Sequence, residues 1–109
     1  MATAERSATP SGAAETDLEQ TRRIVLEGLG QLEARVWLFG SRARGAARRG
    51  SDIDVAVLPL EPLPAGTLGR IAEALENSLV LPTVDLVDLT SAEPALIERV
   101  ERDGIPWKS

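Results

Sequence analysis

Two short apolar runs, Val36-Trp37-Leu38-Phe39 and Val55-Ala56-Val57-Leu58, flank a segment with distinctive ends. Gly40-Ser41 closes the first run, and after a gap of ten residues Asp52-Ile53-Asp54 opens the second. Runs of this length, rich in β-branched and aromatic residues, read as strands. Strand alternation puts Asp52, Asp54 and Ala56 on one face of the second and Ile53, Val55 and Val57 on the other. The β-branched face belongs against helices, so the carboxylate face is left to a cleft or to solvent. Two carboxylates one strand step apart repel, and each favours its neutral form unless a cation lies between them. A divalent ion removes that conflict, and such a pair can clamp one or two Mg²⁺. An Asp-x-Asp by itself is equally a surface strand with two solvated acids; the neighbouring Gly-Ser turn tips the reading towards chemistry.

That turn has the makings of a phosphate site. Gly40 lets an anion approach the backbone with no Cβ in the way. Ser41 offers a hydroxyl, and the start of a following helix adds N–H donors and partial positive charge. Arg42 and Arg44 can pair with phosphate oxygens in bidentate fashion. Arg48 and Arg49 read as a solvated helix end or a partner-binding edge. These four arginines stand out in a chain of net charge −5. A local positive site on an acidic protein suits a small polyanion such as a nucleoside triphosphate. No GxxxxGK[ST] loop is present. The plainer alternative for Gly40-Ser41 is an ordinary strand–turn–helix cap.

Composition removes many other chemistries. The 109 residues include no cysteine and no histidine. Disulfides, thiolate metal sites, Ser-His nucleophiles and imidazole bases are therefore excluded. A metal must be held by oxygen, which points to Mg²⁺ or Mn²⁺, and a general base must be a carboxylate or water acting through the metal. Aromatic content of 3% and the negative charge argue against a broad nucleic-acid surface, so no direct nucleic-acid binding is expected. No apolar run nears membrane-spanning length, and the start of the chain lacks a signal-peptide layout. A cytoplasmic location is expected.

The rest of the chain reads as alternating helices and strands. Residues 1–15, rich in Ala, Ser, Thr and Gly, are expected to be a disordered tail, with one folded domain over 16–109. Thr16 and Glu19 form a capping-box pattern, and Leu18, Val25, Leu29 and Leu32 recur at helical spacing. A helix over 17–29 follows, stopped by Gly28-Leu29-Gly30. Strands are expected over 35–39 and 53–58, with a short helix over 42–48 between them, capped by Ser41. Leu68, Ile71, Ala72, Leu75 and Leu79 mark an amphipathic helix. A third strand spans 84–89. Ser91 caps a last helix with Leu96, Ile97 and Val100 facing inward, closed by Gly104. Residues 105–107 add a short strand or pack on the core. The fold class is α/β, a small mixed β-sheet with helices packed mainly on one face. On the third strand Asp85 and Asp88 face opposite ways, so at most one shares the cleft. Asp85, mid-strand between Val84 and Leu86, is the choice for a third carboxylate, because an acid there needs a partner. The alternative is an edge-strand acid that discourages aggregation.

Residues 40–57, GSRARGAARRGSDIDVAV, resemble the signature of the minimal nucleotidyltransferases of the DNA polymerase β superfamily: G-S, a ten-residue gap, then D-x-D. Val84-Asp85-Leu86-Val87 resembles the family segment that carries the third carboxylate. The resemblance extends over about 32–107 and implies a polymerase β-like nucleotidyltransferase fold. It implies that Asp52 and Asp54 bind two Mg²⁺, that Asp85 completes the metal site and activates the attacking hydroxyl, and that Gly40 and Ser41 hold the triphosphate of ATP. The implied reaction transfers AMP to a hydroxyl and releases pyrophosphate. At this length the chain looks like the stand-alone kind that serves as antitoxin to a HEPN-domain RNase toxin, which it silences by adenylylating a tyrosine. Two alternatives stay open: a non-catalytic antitoxin that neutralises by contact, and a small-molecule transferase of the aminoglycoside type.

Overall fold

In the computed structural model the described residues are 12–40, 52–80 and 82–108. The expected short helix over 42–48, residues 1–11 of the tail expected over 1–15, and Ser41, Arg42, Arg44, Arg48 and Arg49 lie outside them. The elements run α1 (Gly12–Leu29), β1 (Ala34–Phe39), β2 (Ile53–Pro59), α2 (Thr67–Glu76), β3 (Val84–Asp88), α3 (Pro94–Asp103) and β4 (Ile105–Lys108). The strands form one sheet in the order β3-β2-β1-β4. β1 is antiparallel to both β2 and β4, whereas β2 and β3 are parallel. The sheet is thus mixed, as its sequence pattern predicts, and residues 105–108 do add a fourth strand. No helix among the described residues is long and apolar enough to cross a membrane.

The alternation of β2 divides the core in two. Ile53, Val55 and Val57 pack with Val36 and Leu38 of β1, Val25 and Leu29 of α1, and Ile71 and Leu75 of α2. On the opposite face Ala56 and Trp37 pack with Leu89 and with Val100 of α3. Two helices therefore share one face and the third covers part of the other. The carboxylate-bearing face is not open along its whole length, because α3 roofs its middle. Trp37, 2% exposed, lies directly opposite Ala56, whose small side chain leaves room for the indole. Arg35 lies over the Trp37 ring, its guanidinium carbon 4.8 Å from the centroid, and pairs with Glu101 of α3 at 3.1 Å.

Helix ends depart from the sequence expectation for identifiable reasons. α1 begins at Gly12, so residues 12–15, expected to be part of a disordered tail, are helical, and Thr16 lies inside the helix and does not cap it. Gly28 does not stop α1 but belongs to it, and the last turn is closed by the Gly30 N–H donating to the Leu26 carbonyl at 2.9 Å. At Gly28 the two helices come together, since a Cβ there would stand 2.9 Å from Ile71 Cδ1 and closer still to Cγ1. Gly28→Ala is therefore expected to lower Tm. Alanine gains about 0.8–1.0 kcal/mol in helix propensity, but forcing atoms into a packed contact costs about 1–3 kcal/mol. A rise in Tm would show that the two helices separate freely. α2 ends at Glu76, so Leu79 lies beyond it and is 82% exposed, while Val80 takes the buried place. The Ser78 hydroxyl donates to the Leu75 carbonyl and accepts from the Val80 N–H, which turns the chain there. α3 is capped at Glu93 rather than Ser91, with Pro94 as its first residue. Proline has a preset φ and no N–H to leave unpaired at that position.

Candidate active site

The carboxylates are positioned by strand register. Phe39 of β1 lies opposite Asp54 of β2, and Asp54 lies beside Asp85 of β3. These three residues form one row across the sheet. The next row is Trp37, Ala56 and Val87, which α3 covers. One strand step of two residues spans roughly 7 Å, so the acids lie immediately past the edge of the α3 roof. Asp52 precedes β2 on the same side. Asp54 is half-buried, while Asp52 and Asp85 are exposed. Asp88 faces the other way and is already engaged, accepting bonds from the Thr90 N–H at 2.9 Å and the Thr90 hydroxyl at 2.6 Å. Of the two acids on β3, register brings Asp85 to Asp54 and turns Asp88 away.

Electrostatics register the same cluster. The Asp54 carboxyl is held above its ordinary range, first by burial, then by the charge of Asp85, then by that of Asp52. Among the described residues no cation pairs with any of the three, the ion pairs there being Arg35–Glu101 and Arg102–Asp103. As they stand, no three acidic side chains among the described residues are gathered closely enough to hold a metal ion. The donor set nevertheless suits a hard divalent cation: it is all oxygen, and adjacent like charges need a counter-charge. Turning carboxylates towards an ion is a side-chain movement, not a change of fold.

The raised pKa has a sign that can be measured. A carboxyl whose folded pKa exceeds its unfolded value opposes folding above the folded pKa, and the opposition is relieved as pH falls through it. In EDTA, Asp54→Asn is therefore expected to melt higher than the parent at neutral pH. The gap should close as pH falls through the raised folded pKa towards the ordinary aspartate value. Paired thermal melts across pH test this; a variant that melts lower than the parent at pH 7 would contradict it.

Gly40 ends β1 with φ +79°, beside Asp54. The space that a Cβ would take at Gly40 is filled by Oδ2 of Asp54. The sequence expectation for this glycine concerned phosphate alone; the packing against Asp54 has no local signal, because it joins residues on two strands. A cavity of about 610 Å³ lies at the far end of β2 and β3. It is framed by Pro59, Pro62, Leu63 and Pro64, with Asp88 and Thr90. Parallel strands usually offer ligands their carboxyl ends, yet the one acid this strand pair brings there is the engaged Asp88. The three acids lie towards the other end of these strands, Asp85 being three residues, roughly 10 Å, from Asp88.

Comparison with known proteins bears on this geometry. Residues 31–107 match the family of polymerase beta nucleotidyltransferases. Protein adenylyltransferase MntA of Shewanella oneidensis is 41% identical over 69 residues, 63% of this chain and 49% of that one. The chain spans about half the length of the curated relatives it matches. A solved structure described as a minimal nucleotidyltransferase is 39% identical, with TM-score 0.67, covering 84% of this chain and 93% of the other. Another, of a tri-AMPylated Shewanella oneidensis HEPN toxin in complex with an MNT antitoxin, is 28% identical with TM-score 0.60, over 85% and 70% of the two chains.

Proposed function

The chain belongs to the polymerase beta nucleotidyltransferase family, and from that premise we propose that it transfers AMP from ATP to a hydroxyl, a tyrosine, of a HEPN-domain toxin in the cytoplasm and so acts as its antitoxin. The observation that carries this reading is the register that sets Asp54 beside Asp85, with Asp52 close enough to add to its charge. The similar MntA of Shewanella oneidensis is a protein adenylyltransferase, and a similar MNT antitoxin is found with an AMPylated HEPN toxin.

Asp52, Asp54 and Asp85 would hold two Mg²⁺, which supply charge neutralisation for a reaction whose catalysis is mainly positioning and electrostatics. Asp85, exposed on an edge strand, would accept the proton of the acceptor hydroxyl. Asp54 is the central member, flanked by the other two. Gly40, Ser41, Arg42 and Arg44 are assigned to the triphosphate. Gly40 supports that assignment by ending β1 at the carboxylate end of the sheet. The base is left to the edge of the α3 roof, where half-buried Phe39 adjoins the acids.

The test mixes the purified chain with a HEPN partner, Mg²⁺ and ATP labelled at the α-phosphate. Label on the partner, dependent on Mg²⁺, is the expected outcome. Neutralisation of the partner without label would replace this reading by inhibition through contact alone. Label on an aminoglycoside in the absence of a partner would replace it by small-molecule transfer.

A further inference from the structure

Gly40 combines two demands that other glycines of the chain show singly. Its φ of +79° lies in the left-handed region, where a side chain is strained. Gly66 shares that conformation at φ +83°, but a Cβ there would meet only the flexible end of Arg70, at 3.2 Å from Nη1. At Gly40 the place of the missing side chain is occupied by one specific group. Asp54 Oδ2 fills it, and the carboxyl carbon stands 3.2 Å from the position that a Cβ would take. The contact joins the last turn of β1 to the first residues of β2, and Phe39, just before Gly40, is the cross-strand partner of Asp54.

We propose that Gly40 is a positioning residue for Asp54: the vacancy at residue 40 is the slot that seats the Asp54 carboxylate beside Asp85. A side chain at position 40 pushes the carboxylate out of this slot, either towards the like charge of Asp85 or out to water. Staggered rotamers leave a strand aspartate few other choices. The proposal rests on the reading of Asp54 as a metal ligand, and it gives the glycine a task separate from any contact between its backbone and phosphate.

The test uses the full chain with Gly40→Ala, Asp54→Ala and the double variant. Two properties are measured without nucleotide: thermal melting in EDTA, and Mn²⁺ binding followed by the electron paramagnetic resonance of free Mn²⁺. Gly40→Ala should weaken Mn²⁺ binding about 10–100-fold, although it removes no ligand, as loss of a group that orients a ligand does. It should also lower Tm by roughly 4–8 °C more with Asp54 present than with alanine at 54, because residues in contact couple. What remains in the Asp54→Ala background is the strain of the positive φ. Equal Tm losses in both backgrounds would overturn the proposal. So would Mn²⁺ binding that is lost in Asp54→Ala yet unchanged in Gly40→Ala; in that case the metal reading survives without it. Unchanged Mn²⁺ binding in Asp54→Ala would overturn the metal reading and the positioning role together. If Gly40→Ala does not fold, folding of the double variant upholds the proposal, and failure of both overturns it.

Discussion

Asparagine in place of Asp54 is expected to cut AMP transfer by about 10²–10³-fold or more, the scale seen when one preorganised electrostatic group is lost, while leaving the metal-free fold intact. The two sides of this result have one cause. Asp54 is the most buried of three neighbouring acids and carries the charge that its surroundings least favour. Without a cation that charge weakens the fold, and under the proposed function it would be a ligand once a cation is bound. Asparagine keeps the shape, drops the charge and offers a hard cation only a weaker, neutral oxygen. The parent should therefore gain Tm on addition of Mg²⁺ or Mn²⁺, since a ligand at 100 times its Kd stabilises by about 2.7 kcal/mol, whereas the variant should gain little. Initial rates of partner labelling, and melts with and without metal, read the two effects separately. Transfer within tenfold of the parent would remove Asp54 from the chemistry.

Trp37→Ala should have the largest effect on stability, about 3–5 kcal/mol, against a total of about 5–15 kcal/mol for a domain of ordinary stability. The indole is nearly fully buried and is enclosed by Ala56 beside it, α3 above it and Arg35 over its ring. By contrast Arg35→Ala should cost about 1 kcal/mol, because the Glu101 pair is half-exposed and a guanidinium that keeps its contact with water contributes only about 0.5–1 kcal/mol over a ring. Urea unfolding of both variants checks the ranking. A Trp37→Ala cost no larger than that of Arg35→Ala would mean that α3 does not close over this row. Because Asp54 lies one strand step from Trp37, loosening α3 should also reduce transfer.

Much of the architecture is legible in the chain because its signals are local. The alternation Ile53-Asp54-Val55-Ala56-Val57 states which β2 side chains face α1 and α2, though not that α3 buries Ala56 on the other side, and Ile71 and Leu75 mark the buried stripe of α2. Leu79 fits the same helical spacing yet is exposed, because periodicity carries no stop signal and Ser78 supplies the turn through its hydroxyl. α3 starts at Pro94 and not after Ser91, the residue that its hydroxyl marks as a cap; the proline is the local signal that the expectation from Ser91 leaves aside. The closeness of α1 to α2 at Gly28 and of Gly40 to Asp54 is not written in either neighbourhood, since each glycine makes room for a residue far along the chain.

By itself the sequence determined the donor chemistry and the strand faces: with no histidine or cysteine only oxygen ligands remain, and a period of two decides the side on which each aspartate lies. The tertiary structure alone decided that Asp85, and not Asp88, stands beside Asp54, that α3 roofs the row next to them, and that Asp54 occupies the space left by Gly40. The reason is that alternation is a property of one strand, whereas register, roofing and close approach arise only when separate segments pair and share a core.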